Sequence, residues 1–148
     1  MPTKILVCGL PGSGKTTLAV KIVNKLLATG ATVLHLNADE VRTKFSDWDF
    51  SLSGRIRQAQ RMLDLASRAN TDFVVADFIA PLELMRKIFA ADYTIVMETI
   101  ATSRFENTNA IFETPCFADV RISGFNFDEW TSVICAEVQV ISKSINTI

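Results

Sequence analysis

At 148 residues the chain has the length of one domain, enough to bury about 70% of its unfolded surface. Hydrophobic residues make up 49% and charged residues 21%, which excludes a disordered chain. A net charge of −1 provides no global basic field for holding long nucleic acid.

Read in chain order, apolar Ile5 to Cys8 ends at Gly9 and predicts a buried strand. Leu18, Ile22, Val23, Leu26 and Leu27 recur at helical spacing, so Lys15 to Leu27 predicts a helix closed by Gly30. Thr32 to Leu36 reads as a second strand that carries the sole histidine, His35, as a core or strand residue. A helical turn from Asp39 to Phe45 follows, then a long helix over Leu52 to Ala69. Phe73 to Ala76 is the third strand, and Pro81 is placed to start a helix reaching Phe89. Tyr93 to Met97 makes the fourth strand. Ser103 with Glu106 has the spacing of a capping box for a helix to Phe112. Phe117 to Ile122 predicts a fifth strand. Asn126 with Glu129 caps a last helix with the stripe Trp130, Ile134, Val138, Ile141 and Ile145.

Strands alternating with helices predict a three-layer α/β fold, a parallel five-stranded sheet with helices on both faces, over a single domain of residues 1–148. Cys8, Cys116 and Cys135 have no metal-ligand spacing and read as small buried hydrophobes in a reducing compartment. Met1-Pro2-Thr3-Lys4 leads straight into the first strand, and no apolar run approaches the roughly 20 residues of a membrane span. The expectation is a cytoplasmic protein with no membrane partner.

Gly9-Leu10-Pro11-Gly12-Ser13-Gly14-Lys15-Thr16 matches the phosphate-binding pattern G-x-x-x-x-G-K-[ST] between a predicted strand and a predicted helix. Glycines let consecutive N–H groups converge on phosphate oxygens, and the helix that follows aims its positive end at the same place. Lys15 supplies a mobile cation for the β- and γ-phosphates, and the Thr16 hydroxyl suits a Mg²⁺ shell, with Thr17 next in line. ATP and Mg²⁺ are the expected cofactors. The fold is then that of P-loop nucleotide-binding proteins.

In such a sheet, ligands sit beyond the carboxyl ends of the strands. Asp39 follows the second strand, where it can accept a proton from an acceptor hydroxyl, bind Mg²⁺ through water, or cap the next turn. Asp77 follows the third strand, as a metal-side acid or a cap, and Glu98 after the fourth reads as a solvated carboxylate. Helical angles put Arg57, Arg61 and Arg68 on the polar face of the long helix. Arg55 projects from its apolar side and requires an anion: a phosphate or sulfate, or a buried salt bridge. Arg42, three residues after Asp39, can lean over the same site. Arg104 lies where P-loop kinases carry a mobile lid.

These residues together resemble a family. Leu36-Asn37-Ala38-Asp39-Glu40-Val41-Arg42 resembles the L-D-G-D-x-x-R segment of adenylyl-sulfate (APS) kinases. Phe50-Ser51-x-x-Gly54-Arg55-x-x-Gln58 is similar to their F-S-x-x-D-R-x-x-N stretch, and Phe78-Ile79-Ala80-Pro81 with Arg86 to their F-I-S-P-Y-R-x-x-R. The likeness covers roughly the first 90 residues in order, and extends to short proteins of this type carried by bacterial viruses. It implies adjacent first and third strands and phosphoryl transfer from ATP to the 3′-hydroxyl of adenylyl sulfate.

Lys15, Thr16, Asp39, Arg42, Arg55 and Pro81 match the pattern. Asn37 stands for the first aspartate and Gln58 for asparagine. Ala80, Leu82 and Glu83 replace the serine, tyrosine and arginine around the proline, so Glu83 is expected to bring an anion near an anionic acceptor. The C-E-x-R-D segment and Lys-rich lid are not recognisable.

The expected catalytic residues are therefore Lys15, Asp39, Arg42 and Arg55. Gly9, Pro11, Gly12, Ser13, Gly14, Lys15, Thr16, Thr17 and Arg104 would bind nucleotide, and Thr16, Asp39 and Asp77 would face the metal. The expected partners are ATP and a small anionic acceptor, adenylyl sulfate foremost; self-association as a homodimer stays open. Three further readings stand beside this one. Asn37-x-Asp39-x-x-Arg42 also resembles a segment of polynucleotide 5′-kinases, although weak charge makes a nucleic-acid partner unexpected. The chain could otherwise phosphorylate another small metabolite, or bind ATP without transfer.

Overall fold

The structure, a computed structural model, describes residues 1–147; Ile148, the end of the expected domain, lies outside them. Five strands form one sheet: β1 (Thr3–Gly9), β2 (Val33–Asn37), β3 (Phe73–Asp77), β4 (Tyr93–Met97) and β5 (Val120–Ile122). Their order is β2-β3-β1-β4-β5, and every pairing is parallel. β1 is central and pairs with β3, with Val7 opposite Asp77. The parallel five-stranded α/β sheet is as expected.

Side-chain alternation along buried strands builds two cores, one on each face. Ile5, Val7, Phe73, Val75, Tyr93 and Ile95 pack against α1 (Lys15–Ala28) and α6 (Phe127–Asn146). Leu6, Cys8, Val74, Ala76 and Val96 pack against α2 (Ala38–Phe45), α3 (Leu52–Ser67) and α4 (Glu83–Phe89). α1 ends as expected: Gly30, with φ 90°, donates its N–H to the carbonyl of Leu27. Among the described residues no helix is long and apolar enough to cross a membrane.

Several boundaries differ from the expectation, each for a local reason. Pro81 does not start α4. Ala80 turns into the left-handed region (φ 43°), Leu82 is the extended N-cap, and the Pro81 carbonyl accepts the N–H of Glu113 at 2.7 Å. β5 begins only at Val120, because Phe117 is exposed and Asp119 turns to accept the N–H of Thr94. Ser103 does not pair with Glu106. Its hydroxyl donates to Asn109, so side chain bonds to side chain, and Phe105 occupies the N-cap of α5 (Glu106–Ile111). Asn126 holds the N-cap position of α6 and bonds the Glu129 carboxylate, not a backbone N–H.

Cys8 and Cys135 are buried, and burial raises each thiol pKa to about 11, whereas Cys116 is exposed, against expectation. Ile134 anchors α6 to the first core with no exposed surface. Ile134→Ala should lower unfolding stability by about 2–5 kcal/mol, read by urea denaturation.

Candidate functional site

The loop between β1 and α1 takes its shape from glycine. Gly9 (φ 149°), Gly12 (φ 82°) and Gly14 (φ 94°) lie in the region that side chains disfavour. A Cβ on Gly14 would lie 2.8 Å from the Phe127 ring, so the loop passes flush against α6. Gly14 is also the N-cap of α1 and offers no side-chain oxygen, which leaves the helix's first N–H groups without a side-chain cap. Lys15 folds back so that Nζ donates to the Leu10 carbonyl at 3.0 Å. Burial lowers its pKa, against the attraction of Asp77 and Asp39. A phosphate here would restore lost solvation to a cation already in place.

This loop forms part of a cleft of about 1140 Å³. Pro11, Gly12, Gly14, Lys15, Thr16, Thr17, Asp39, Arg42, Arg55, Asp77 and Arg104 all face it, so most of the expected site converges. Gly9 and Ser13 do not line it. Gly9 packs against Met97, and the Ser13 side chain is buried beneath the loop without a partner.

Asp77 ends β3 as a carboxylate only 2% exposed. The Thr16 hydroxyl donates to its Oδ1 at 2.9 Å, and the Asn37 amide donates to the same oxygen at 2.8 Å. Oδ2 meets Nε2 of His35. Asp77 leads no helix, so the cap reading of it fails. Asp39 is not the cap of α2 either: that role falls to Asn37, whose Oδ1 accepts the N–H of Glu40 at 3.0 Å. The Asp39 carboxylate is exposed and faces the cleft.

Arg42 and Arg55 are the buried cations of the cleft, 5% and 8% exposed. Both stack on Phe50, with guanidinium carbons 4.3 and 5.3 Å from the ring centroid. Arg42 donates to the carbonyls of Asp47 and Asp49, and Arg55 to that of Phe50. Among the described residues neither forms a salt bridge, so the buried-ion-pair reading of Arg55 fails. Burial lowers the pKa of both. Both cations thus stand in the cleft with carbonyl and aromatic partners but no carboxylate in salt-bridge contact.

The turn carrying Phe50 and Trp48 is pinned from below. Arg57 bonds Asp47 and Asp49, and Arg61 bonds Asp47 and Gln58. Arg61 is therefore part of this clamp and not only of a solvated face, while exposed Arg68 pairs with Asp64. Trp48 and Phe50 remain 51% and 50% exposed on the cleft wall. Arg104 is exposed and lies over Phe105, on the segment leading into α5. Glu98 is partly exposed and meets Arg121 at 3.5 Å, as a solvated carboxylate would.

Comparison with known proteins identifies the lineage of this arrangement. A family model described as adenylylsulphate kinase matches residues 1–120. The chain belongs to the adenylylsulphate kinase family. It is 32% identical over 101 residues to a probable adenylyl-sulfate kinase of Pseudomonas aeruginosa, covering 66% of this chain and 47% of that one. A probable adenylyl-sulfate kinase of Aeropyrum pernix is 32% identical over 87 residues, covering 57% and 48%. The chain thus spans about half the length of these relatives.

Among solved structures, the Mycobacterium tuberculosis APS kinase CysC in complex with AMPPNP and APS superposes with a TM-score of 0.79 at 22% identity, over 93% of this chain and 98% of that one. Shikimate kinase from Aquifex aeolicus superposes with a TM-score of 0.64 at 14% identity, over 95% and 98%. These two likenesses show the P-loop kinase fold.

The departures from the adenylylsulphate kinase pattern are absorbed locally. Glu83 does not line the cleft. It pairs with Arg86 at 2.9 Å, so the anion that the sequence brings to this turn is matched by a cation. Arg86 also donates to the carbonyls of Ala80 (2.6 Å) and Glu113 (2.7 Å), which ties the Pro81 turn to the segment after α5. Gln58 donates to the Ala38 carbonyl at 3.0 Å and so fixes α3 against the start of α2.

His35 and Trp48 were not singled out as site residues from sequence. The only sequence signal for His35 was a polar residue two positions before the strand's end, on the same strand face as Asn37.

Gly54 shows how tightly the turn that carries Trp48 and Phe50 is built. A Cβ there would lie 2.3 Å from the Asp49 carbonyl oxygen. Gly54→Ala should cost about 1–3 kcal/mol in denaturant unfolding by displacing this turn, and should shift the Trp48 emission measured in a Trp130→Phe background.

Proposed function

We propose that this chain transfers the γ-phosphoryl group of Mg-ATP to the 3′-hydroxyl of adenylyl sulfate. The observation that carries the proposal is the pair Arg42 and Arg55: two buried guanidinium groups without carboxylate partners among the described residues, in the same cleft as the phosphate loop. An acceptor with both a phosphate and a sulfate suits two fixed cations. The half-exposed Trp48 and Phe50 beside them suit an acceptor that also carries a flat ring.

In this reading the loop N–H groups and the start of α1 cradle the phosphates. Lys15 leaves the Leu10 carbonyl to follow the charge that develops on the transferred group. The Thr16 hydroxyl and the Asp77 carboxylate, 2.9 Å apart, form an oxygen donor set of the kind Mg²⁺ accepts when phosphates and water complete its shell. Bound Mg²⁺ would supply neutralisation of phosphate charge. Asp39 orients or deprotonates the 3′-hydroxyl, and its exposure in the cleft leaves it free to do so. Arg42 and Arg55 hold the acceptor's anionic groups, and Arg104 reaches the nucleotide from the segment before α5. Catalysis is positioning plus charge stabilisation.

The test is ADP release from Mg-ATP with and without adenylyl sulfate. Strong stimulation by adenylyl sulfate is expected, with its loss in Lys15→Ala. Arg55→Ala should raise the KM for adenylyl sulfate about 10- to 100-fold, the worth of a charge-assisted hydrogen bond, and leave the KM for ATP nearly unchanged. Intact ATP binding without stimulation would refute adenylyl sulfate as the acceptor.

A further inference from the structure

The sole histidine of the chain lies on an edge strand, where a half-buried imidazole among apolar neighbours needs a polar partner. It has one. Its Nε2 meets Oδ2 of Asp77, and because a carboxylate only accepts, that nitrogen carries the hydrogen. The parallel register sets Asn37 opposite Asp77, and strand alternation places His35 on the same face as Asn37, two residues earlier. The two oxygens of Asp77 are thereby divided. His35 occupies Oδ2, while Asn37 and Thr16 meet Oδ1.

We infer that His35 is a positioning residue: it anchors Oδ2 of Asp77 so that Oδ1 is presented to Thr16 at the metal side of the phosphate loop. The inference rests on the proposed reading of Thr16 and Asp77 as the Mg²⁺-side pair. A carboxylate 2% exposed cannot leave one oxygen without a donor at no cost. With His35 removed, the group rotates to share the remaining donors, and rotation carries Oδ1 away from Thr16. Asn37 cannot substitute, since its Nδ2 already donates to Oδ1 of Asp77 and to the Thr16 hydroxyl oxygen, and its own Oδ1 accepts the N–H of Glu40. The polar partners that orient a metal-side ligand commonly account for about 10- to 100-fold in metal affinity.

The test titrates Mg²⁺ into the full chain while ATP affinity is followed by calorimetry, with an EDTA series as the metal-free reference. His35→Ala should raise the Mg²⁺ midpoint about 10-fold or more and leave metal-free ATP affinity unchanged. His35→Gln, which retains an N–H donor, should recover most of that loss, and it serves as the second probe where the alanine variant folds poorly. In an Asp77→Asn background, His35→Ala should add nothing further to the Mg²⁺ midpoint.

A wild-type midpoint in both His35 variants overturns the inference. So does an equal loss of metal-free and Mg²⁺-bound affinity, which marks a merely structural residue. No acceptor enters the measurement, so failure of adenylyl sulfate as substrate leaves the result readable.

Discussion

At the two ends of the loop that joins β1 to α1 the backbone passes too close to its neighbours to admit a side chain. A Cβ at Gly9 would lie 2.8 Å from the Met97 carbonyl oxygen, and one at Gly14 an equal distance from the Phe127 ring. Every other feature of the site is referred to this passage. Because the loop lies flush between β4 and α6, α1 begins directly at the carboxyl edge of the sheet, with its first N–H groups turned to the cleft. Lys15 and Thr16 follow within that first turn. Displacement of the loop by one side chain's width would separate Thr16 from Asp77, which the parallel register of β1 and β3 brings to the same edge.

Opposite in character is the cleft wall that carries Arg42 and Arg55, where charge is buried and not cradled. Arg42 and Arg55 lose solvation and gain only carbonyl and aromatic partners. Such an arrangement persists because the turn beneath is held by a separate set of ion pairs, Arg57 and Arg61 to Asp47 and Asp49. Arg57 and Arg61 take up the carboxylates of this turn, Asp47 and Asp49, while Asp39 in the cleft forms no salt bridge with either buried arginine. The inner pair keeps its charge without a salt bridge among the described residues, and the fold bears the desolvation cost.

Departures from the family pattern follow the same logic of local compensation. Glu83 brings a negative charge to the start of α4, where Arg86 meets it at helical spacing and holds the Pro81 turn to the strand-ward segment after α5. Asn37 offers an amide to Asp77 at 2.8 Å, a position where a second carboxylate would be repelled. Each departure makes sense only with its spatial partner, and the partners lie on other elements or several residues away.

The alternation of apolar runs and the spacing of Gly9 to Thr16 are local properties, so the strands, the main helices and the phosphate loop were legible from residue order alone. Asp39, Asp77, Arg42 and Arg55 were legible because strand ends and helix phase point their side chains in known directions. Tertiary structure alone decided their partners. His35 is the strand residue it read as, but only the β2–β3 register set it against Asp77, and only the turn of α4 brought Arg86 to the charge of Glu83. Pro81 carried a helix-start signal that lost to the left-handed Ala80 and the hydrogen bond from Glu113. Periodicity records which way a side chain faces. Which group it meets depends on register and packing between distant segments, and no local spacing encodes that.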